Sequence, residues 1–199
     1  MTADIFQTDD HNTDLSPEEQ LQLIPSLTTR AELNAAERMN INAARLWAMR
    51  PRVLQRPDLL TDTFSRELHR NMFNHIWRWA GRYRTSERNL GWEVHRLSEG
   101  IRNAFGDTQC SMQHGTYPLT EVAVRLHHRL VAIHPWPNGN GRHARLMADL
   151  VVASRAGREL TWGASSDLAF AGQARNRYIA AIQQADAGDM AALLAFAES

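Results

Sequence analysis

A chain of 199 residues with 43% hydrophobic residues suits one compact domain with a substantial core. The 22 basic residues balance the 22 acidic ones, so the formal net charge is zero and no bulk field attracts nucleic acid or an anionic membrane surface. All basic residues are arginine, which excludes Schiff-base and P-loop lysine chemistry. The single cysteine, Cys110, excludes an internal disulfide, and the polar N-terminus carries no export signal. We therefore expect a cytoplasmic protein that spans no membrane.

The first part of the chain divides into an arm and a helix. Residues 1–27 are polar and proline-containing, which predicts a loose N-terminal arm ahead of a single domain over residues 28–199. From Thr29 onward apolar residues recur at helical spacing until Pro51 stops the pattern. This periodicity predicts a first amphipathic helix over residues 29–50.

The next two elements differ in their periodicity. A second amphipathic helix is predicted to begin near Thr61 or Thr63, with Gly81 as its C-terminal cap. The segment 83–97 lacks helical spacing and holds turn residues at Asn89 and Gly91, which predicts an exposed β-hairpin.

The rest of the chain returns to helical spacing. Pro135 ends one of these helices, which places His134 at its C-terminus. Ser166 and Asp189 are predicted to cap the last two helices. The predicted helices are 98–105, 120–133, the stretch from the Asn-Gly-Asn-Gly turn to Gly157, 167–185 and 189–198. The predicted fold is mainly α.

The stretch HPWPNGNGRHAR, residues 134–145, carries the chemistry. Glycines at the start of a helix turn backbone N–H groups inward, and the helix dipole adds partial positive charge, so this end is an anion site. Two arginines three residues apart can hold the oxygens of one bound group. A histidine before the turn can accept a proton from an approaching hydroxyl. The residues concerned are His134, Gly139, Asn140, Gly141, Arg142 and Arg145.

The sequence argues against two other interpretations of this stretch: we reject a dinucleotide fingerprint and regard a metal site as disfavoured. The letters GNGRHA fit a dinucleotide fingerprint, but that motif needs a preceding strand, and here a helix and two prolines precede the first glycine. A metal site would need several histidines to converge, whereas neighbouring histidines diverge on a helix and no H-E-x-x-H motif is present. The histidines considered are His127, His128, His134 and His143.

The stretch resembles the signature of the Fic/Doc family, H-x-F-x-[DE]-[AG]-N-[GK]-R-x-x-R, at His134 and at the glycine, asparagine and arginine positions. The resemblance is closest to the Fic group carried on mobile elements. It implies a mainly α Fic-like helical bundle with a β-hairpin flap before the motif. It also implies transfer of AMP from ATP to a Ser, Thr or Tyr hydroxyl of a target protein, with Mg²⁺ as cofactor.

The resemblance also implies residue roles. His134 would deprotonate the target hydroxyl, and residues 83–95 would hold an extended target peptide by strand addition. The glycine turn would cradle the α and β phosphates, and the two arginines the β and γ end. Arg175, Asn176 and Tyr178 would face the base and ribose, although packing of a helix face explains Tyr178 equally well.

Two positions depart from the family pattern. Trp136 replaces phenylalanine and is expected to remain an aromatic core anchor. Asn138 replaces the acidic residue expected to hold Mg²⁺, and a neutral amide oxygen can ligate the ion without contributing net charge. We therefore expect Asn138 to be a weak magnesium ligand.

Many Fic proteins carry an inhibitory helix with the motif [ST]-x-x-x-E-[GN]. The nearest match runs from Thr28 to Glu32, but Leu33 stands where Gly or Asn is expected. If Glu32 is inhibitory, it pairs with Arg145; alternatively, Thr29 and Glu32 form a capping box that starts the first helix.

Three functions stay open at this stage: a protein adenylyltransferase, a catalytically silent nucleotide-binding regulator, and a Fic enzyme that transfers another phosphate-linked group. The implied partner is a target protein with a hydroxyl side chain. An antitoxin partner, self-inhibition and a homo-oligomer also stay open, whereas nucleic acid and membrane are not expected partners.

Overall fold

The computed structural model of the chain describes residues 5–6, 15–163 and 172–199. Within these ranges the regular structure is almost entirely helical, which confirms the predicted fold class. The helices are α1 (Pro17–Gln20), α2 (Arg30–Ala48), α3 (Pro51–Leu54), α4 (Asp62–Phe73), a 3₁₀ turn (Val94–Arg96), α5 (Leu97–His114), α6 (Leu119–Ile133), α7 (Asn140–Ala156), α8 (Gln173–Asp186) and α9 (Ala191–Ala197).

Helices α2 and α4 pack against each other, and each begins at a threonine cap. The hydroxyl of Thr61 accepts a hydrogen bond from the Phe64 N–H at 3.2 Å. Because a capped first turn satisfies orphan N–H groups, both helices start where the sequence predicts. Helix α4 ends at Phe73, so the prediction of Gly81 as its cap was wrong. The apolar period continues past the helix because the turns that follow bury Ile76, Trp77 and Trp79.

Helices α5, α6 and α7 form the centre of the domain. The predicted helix 98–105 was too short, because α5 continues to His114 before Gly115 ends it at φ 61°. Its last turns are mostly exposed, so no apolar period marks them in the sequence. Side chains of α6 and α7 that are at most 1% exposed interlock in the core, namely Ala123, Val124, Leu130, Ile133, Ala144, Met147, Ala148, Leu150, Val151 and Val152.

The segment after Gly81 contains no strand in the described structure, so the predicted β-hairpin was wrong. Its backbone pairs with the loop after α6 instead of with itself. The Arg84 N–H donates to the Pro135 carbonyl at 2.9 Å, and the Trp92 N–H donates to the Ile133 carbonyl at 3.1 Å. These two bonds give buried N–H groups of the segment partners outside it, where a hairpin would have paired them within the segment.

The part of the N-terminal arm over residues 15–27 is not loose, contrary to the prediction. The Ile24 N–H donates to the Ile76 carbonyl at 2.8 Å, and the Arg78 N–H donates to the Gln22 carbonyl at 3.0 Å. Leu23 forms an isolated antiparallel bridge with Trp77. This part therefore packs along the turns that follow α4.

Helices α8 and α9 pack on each other near the C-terminus, where the sequence predicts two helices. Ser166, a predicted cap, lies outside the described residues. Asp189 accepts a hydrogen bond from the Ala191 N–H at 2.9 Å, although the cap position itself is Met190. None of the helices in the described ranges combines the length and apolarity needed to cross a bilayer.

Candidate active site

The loop that joins α6 to α7 carries the motif. His134 caps α6 in the left-handed conformation, at φ 53° and ψ 58°. Such a conformation costs a non-glycine residue about 1 kcal/mol, so the surrounding loop must hold it. Asn140 supplies part of that hold, because its side chain exchanges two hydrogen bonds of 2.9 Å with the backbone of Trp136. The Asn140 side chain is thus a brace for the loop, while its backbone N–H lies in the first turn of α7.

The N-terminus of α7 has the features of an anion site. Gly139 caps the helix at φ 80°, and an added Cβ would lie 2.3 Å from the Phe73 ring, so only glycine fits. The first backbone bond of the helix runs from the His143 N–H to the Gly139 carbonyl at 2.9 Å. The N–H groups of the three residues before His143 therefore have no acceptor within the helix. They are available to bind an anion.

A cavity of about 630 Å³ opens over this helix end. The motif histidine, the glycine turn and both motif arginines line it together with residues of α2, α8 and the segment 89–91. It is therefore large enough for a nucleotide-sized ligand. Its charged lining consists of four arginines and two carboxylates, which favours an anionic ligand; these residues are Arg30, Arg142, Arg145, Arg175, Glu37 and Asp186.

The predicted base and ribose residues are only partly in this cavity. Arg175 and Tyr178 line it, whereas Asn176 is exposed and is not among the lining residues of the described chain. The Tyr178 hydroxyl lies 2.8 Å from His127 Nε2. The guanidinium of Arg145 lies 5.3 Å from the centre of the Tyr178 ring, so the tyrosine supports this arginine on its ring face.

His134 is the residue placed to accept a proton. Burial lowers its pKa to about 4, with a further contribution from the nearby positive charge of Arg84. A hydrogen bond with the backbone of Val131 acts in the opposite direction. The ring is therefore neutral at physiological pH, and when one nitrogen donates to Val131 the other is an acceptor. The neutral imidazole can accept a proton at the edge of the helix end, and its lowered pKa makes it a weaker base than an exposed histidine.

Arg84 was missed by the sequence reasoning and holds the motif loop in place. Its side chain is fully buried. Nε donates to the His134 carbonyl at 2.8 Å, Nη1 donates to the Ser86 carbonyl at 2.9 Å, and Nη2 donates to the Trp92 carbonyl. An added Cβ on Gly91 would lie 2.6 Å from His134 Cβ, so this segment rests directly on the histidine.

His69 supports the same loop from the core side. Its ring stacks on Trp136 at 4.1 Å between centroids, and its Nε2 lies 3.2 Å from the Asn138 carbonyl. Nδ1 accepts from the Gly81 N–H at 2.9 Å, so Nε2 carries the proton that bonds to Asn138. Burial holds the pKa of His69 well below its usual range, which keeps the ring in this neutral form. Trp136 is 1% exposed, as expected of a core anchor.

The contacts of Glu32 in the structure lie at the start of α2. Its carboxylate accepts hydrogen bonds from the N–H groups of Thr28 and Thr29 at 2.8 and 3.0 Å, and Thr29 accepts from the Glu32 N–H at 3.2 Å. The capping box is therefore confirmed. Among the ion pairs of the described ranges none joins Glu32 to Arg145, and an inhibitory role of Glu32 stays a prediction.

The carboxylate that does reach a motif arginine belongs to Glu37. Its Oε2 lies 2.7 Å from Arg142 Nη1, and Glu37 is 3% exposed. Sequence reasoning missed it, although a signal was present. Glu37 occupies the buried stripe of α2 four residues after Leu33, where a charged residue is unusual.

The predicted magnesium ligand does not fit that role. The Asn138 side-chain oxygen accepts from the Gly139 N–H at 2.7 Å and lies 3.4 Å from Arg142 Nη2. A cation at this oxygen would therefore meet a positive guanidinium and an N–H dipole. Mg²⁺ requires several oxygen ligands free of such competitors, so the residues present do not fit a resident Mg²⁺ ion.

The fold and the site together define a helical domain in which a helix N-terminus with open N–H groups shares a cavity with a neutral histidine. Residues 59–152 match the family model described as Fic/DOC family. The chain is 30% identical over 148 residues to the protein adenylyltransferase Fic of Nematostella vectensis; the match covers 72% of this chain and 33% of the relative. The chain thus spans about a third of the length of that curated relative. It belongs to the Fic/DOC family.

Solved structures share the fold. BepC, a VirB-translocated effector of Bartonella tribocorum solved with bound AMPPNP, is similar over 92% of this chain and 97% of its own, at 16% identity and a TM-score of 0.63. Fic-1 of C. elegans is similar over 91% of this chain and 52% of the solved chain, at 21% identity and a TM-score of 0.67.

Proposed function

We propose that the chain is a Fic-type protein adenylyltransferase, which transfers AMP from ATP to a serine, threonine or tyrosine hydroxyl of a target protein and releases pyrophosphate. One observation carries the proposal. His134, in its neutral form, shares a cavity with the open N–H groups of α7 and with two motif arginines. The adenylyltransferase name of the Nematostella relative and the AMPPNP in BepC support a nucleotide as the donor.

The chemistry follows from that arrangement. A ring nitrogen of neutral His134 takes the proton of the target hydroxyl, and the hydroxyl oxygen forms a bond to the α-phosphorus. The bond from this phosphorus to the bridging oxygen breaks, and the electron pair leaves with pyrophosphate. The backbone N–H groups at the start of α7 and the guanidinium of Arg145 stabilise the charge on the departing group. The groups assigned to bond making and bond breaking therefore lie in one loop and one helix.

The residue roles follow the cavity. Gly139 and Gly141 let the backbone approach the α and β phosphates, with Asn140 contributing its N–H, and Arg142 and Arg145 face the β and γ end. We assign Arg175 and Tyr178 to the base and ribose, because both line the same cavity as the motif residues. The segment 89–91 is placed to position the target hydroxyl over the histidine.

A second candidate is a catalytically silent nucleotide-binding regulator. It is favoured by the ion pair between Glu37 and Arg142, because a buried carboxylate 2.7 Å from the guanidinium offsets positive charge that would otherwise stabilise the departing phosphates. A protein with this charge balance would bind the donor with little activation of it.

The test uses the position of the label on ATP. The protein is incubated with bacterial lysate and ATP labelled at either the α- or the γ-phosphate, beside the variants His134→Ala and His114→Ala. His114 is an exposed histidine at the end of α5 and serves as the matched control. We expect α-label on protein with the native chain and the control, and none with His134→Ala. Transfer of γ-label would show phosphorylation, and ATP binding without any transfer would show a regulator.

A further inference from the structure

Glu37, Asn138 and Arg142 form one hydrogen-bonded cluster beside the N-terminus of α7. Glu37 Oε1 accepts from Asn138 Nδ2 at 3.1 Å and from Trp77 Nε1 at 2.8 Å. Glu37 Oε2 accepts from Arg142 Nη1 at 2.7 Å. Both oxygens of this buried carboxylate are therefore engaged by N–H donors.

The neighbours decide which way the Asn138 amide faces. Its nitrogen faces Glu37, while its oxygen faces the Gly139 N–H and Arg142. The reverse orientation would place the amide oxygen against a carboxylate oxygen and the amide N–H groups against other donors. A neutral donor at position 138 is therefore the partner that a buried glutamate at position 37 requires.

This cluster contains one carboxylate, and the guanidinium of Arg142 balances its charge. A divalent cation would have to displace Arg142, or take a carboxylate whose lone pairs already bond to Trp77 and Asn138. Either change leaves buried polar groups without partners. The chain thus supplies its balancing positive charge from an arginine, at the place where a cation would otherwise bind next to a carboxylate.

We propose that the Glu37–Asn138 pair excludes a resident divalent cation and that the cavity binds the triphosphate without magnesium, through its arginines and the α7 amides. The carboxylate next to this site belongs to Glu37 on α2, whereas the loop carries the neutral Asn138. The inference rests on the proposed function only for its choice of ligand.

The first test needs no variant. The affinity of the native chain for an ATP analogue with a methylene bridge between the α and β phosphates is measured by calorimetry in EDTA and in excess Mg²⁺. We expect the two dissociation constants to agree within about threefold. A tightening of about tenfold or more with magnesium would overturn the inference and leave the proposed function standing. Absence of binding under both conditions would overturn both.

The second test moves the charge. The double variant Glu37→Gln, Asn138→Asp returns the carboxylate to the loop and keeps a hydrogen-bonding side chain at each position. We expect this variant, with the analogue bound, to hold Mn²⁺ at least about tenfold more tightly than the native chain, as measured by electron paramagnetic resonance. Equal Mn²⁺ binding by the two proteins would contradict the assignment of the pair. Calorimetry on the native chain keeps the inference testable if the double variant does not fold.

Discussion

Replacing Asn138 by aspartate places a second carboxylate against Glu37. An oxygen would stand where the amide nitrogen now lies, 3.1 Å from Glu37 Oε1. Two unit charges at that separation repel by about 5 kcal/mol at an effective dielectric constant of 20. Attraction to Arg142, which lies 3.4 Å from the Asn138 oxygen, is also about 5 kcal/mol at this dielectric constant and offsets most of the repulsion. The variant still loses the hydrogen bond from Asn138 to Glu37 and buries a second charge. We therefore expect it to lose about 2 kcal/mol of unfolding free energy at neutral pH.

The assay is urea unfolding of four proteins: the native chain, Asn138→Asp, the double variant with Glu37→Gln, and Asn103→Asp. Asn103 is exposed on α5, so its change to aspartate should alter stability by less than about 0.5 kcal/mol. The double variant should recover most of the lost stability, because its cluster again contains a single carboxylate. The deficit of the single variant should shrink in acid, since protonation of the introduced carboxyl removes the repulsion. A single variant as stable as the native chain at neutral pH would refute this reasoning.

Three further predictions concern His134, Asp149 and Gly139. Arg84→Gln removes a positive charge that lowers the pKa of His134, so this pKa, followed by NMR, should rise above about 4. It should remain below 6.5, because burial is the larger cause of the shift. An unchanged pKa would refute the electrostatic effect of Arg84 on His134. Burial raises the pKa of Asp149 to about 7, so the native chain loses stability as the pH rises from 4 through 7. In thermal unfolding, Asp149→Asn should therefore be more stable relative to the native chain above pH 7, by at most about 4 kcal/mol. An equal difference between the two proteins at pH 5 and pH 8 would contradict this. In Gly139→Ala the new Cβ would lie 2.3 Å from the Phe73 ring at a residue with positive φ, so the variant should lose about 2 to 4 kcal/mol of unfolding free energy. The matched change Gly106→Ala has no heavy atom within 4 Å of the new Cβ and should not destabilise the chain. Equal losses in the two variants would refute the steric argument.

Features set by neighbouring residues were predictable from the sequence. The motif loop is contiguous, so the placement of His134 at the end of α6 and of the glycine turn at the start of α7 followed from local spacing. The cap formed by Thr29 and Glu32 is likewise a contact between residues three apart. Local hydrogen bonds of this kind depend little on the rest of the fold.

Contacts between distant segments were not predictable in the same way. Glu37 and Arg142 are 105 residues apart, and no spacing rule brings them together. The Arg84 side chain reaches the His134 carbonyl across 50 residues. The Arg84 backbone N–H bonds to the Pro135 carbonyl, and such distant backbone partners explain the wrong hairpin prediction. Its segment looked like a hairpin because it lacks helical period, yet its backbone partners lie in the motif loop. Patterning within a segment indicates which groups need partners, but the packing of α2, α4 and α7 decides which partners they find.

If His134 is the base in an AMP transfer, adduct and pyrophosphate must appear in equal amounts and disappear together when the histidine is removed. With a purified target, AMP adducts are counted by mass spectrometry and released pyrophosphate by a coupled assay, beside ATP binding by calorimetry. We expect one pyrophosphate per adduct with the native chain, and the loss of both with His134→Ala, which should still bind ATP. Adduct formation that survives the loss of His134, or ATP binding by the native chain without pyrophosphate release, would contradict the account.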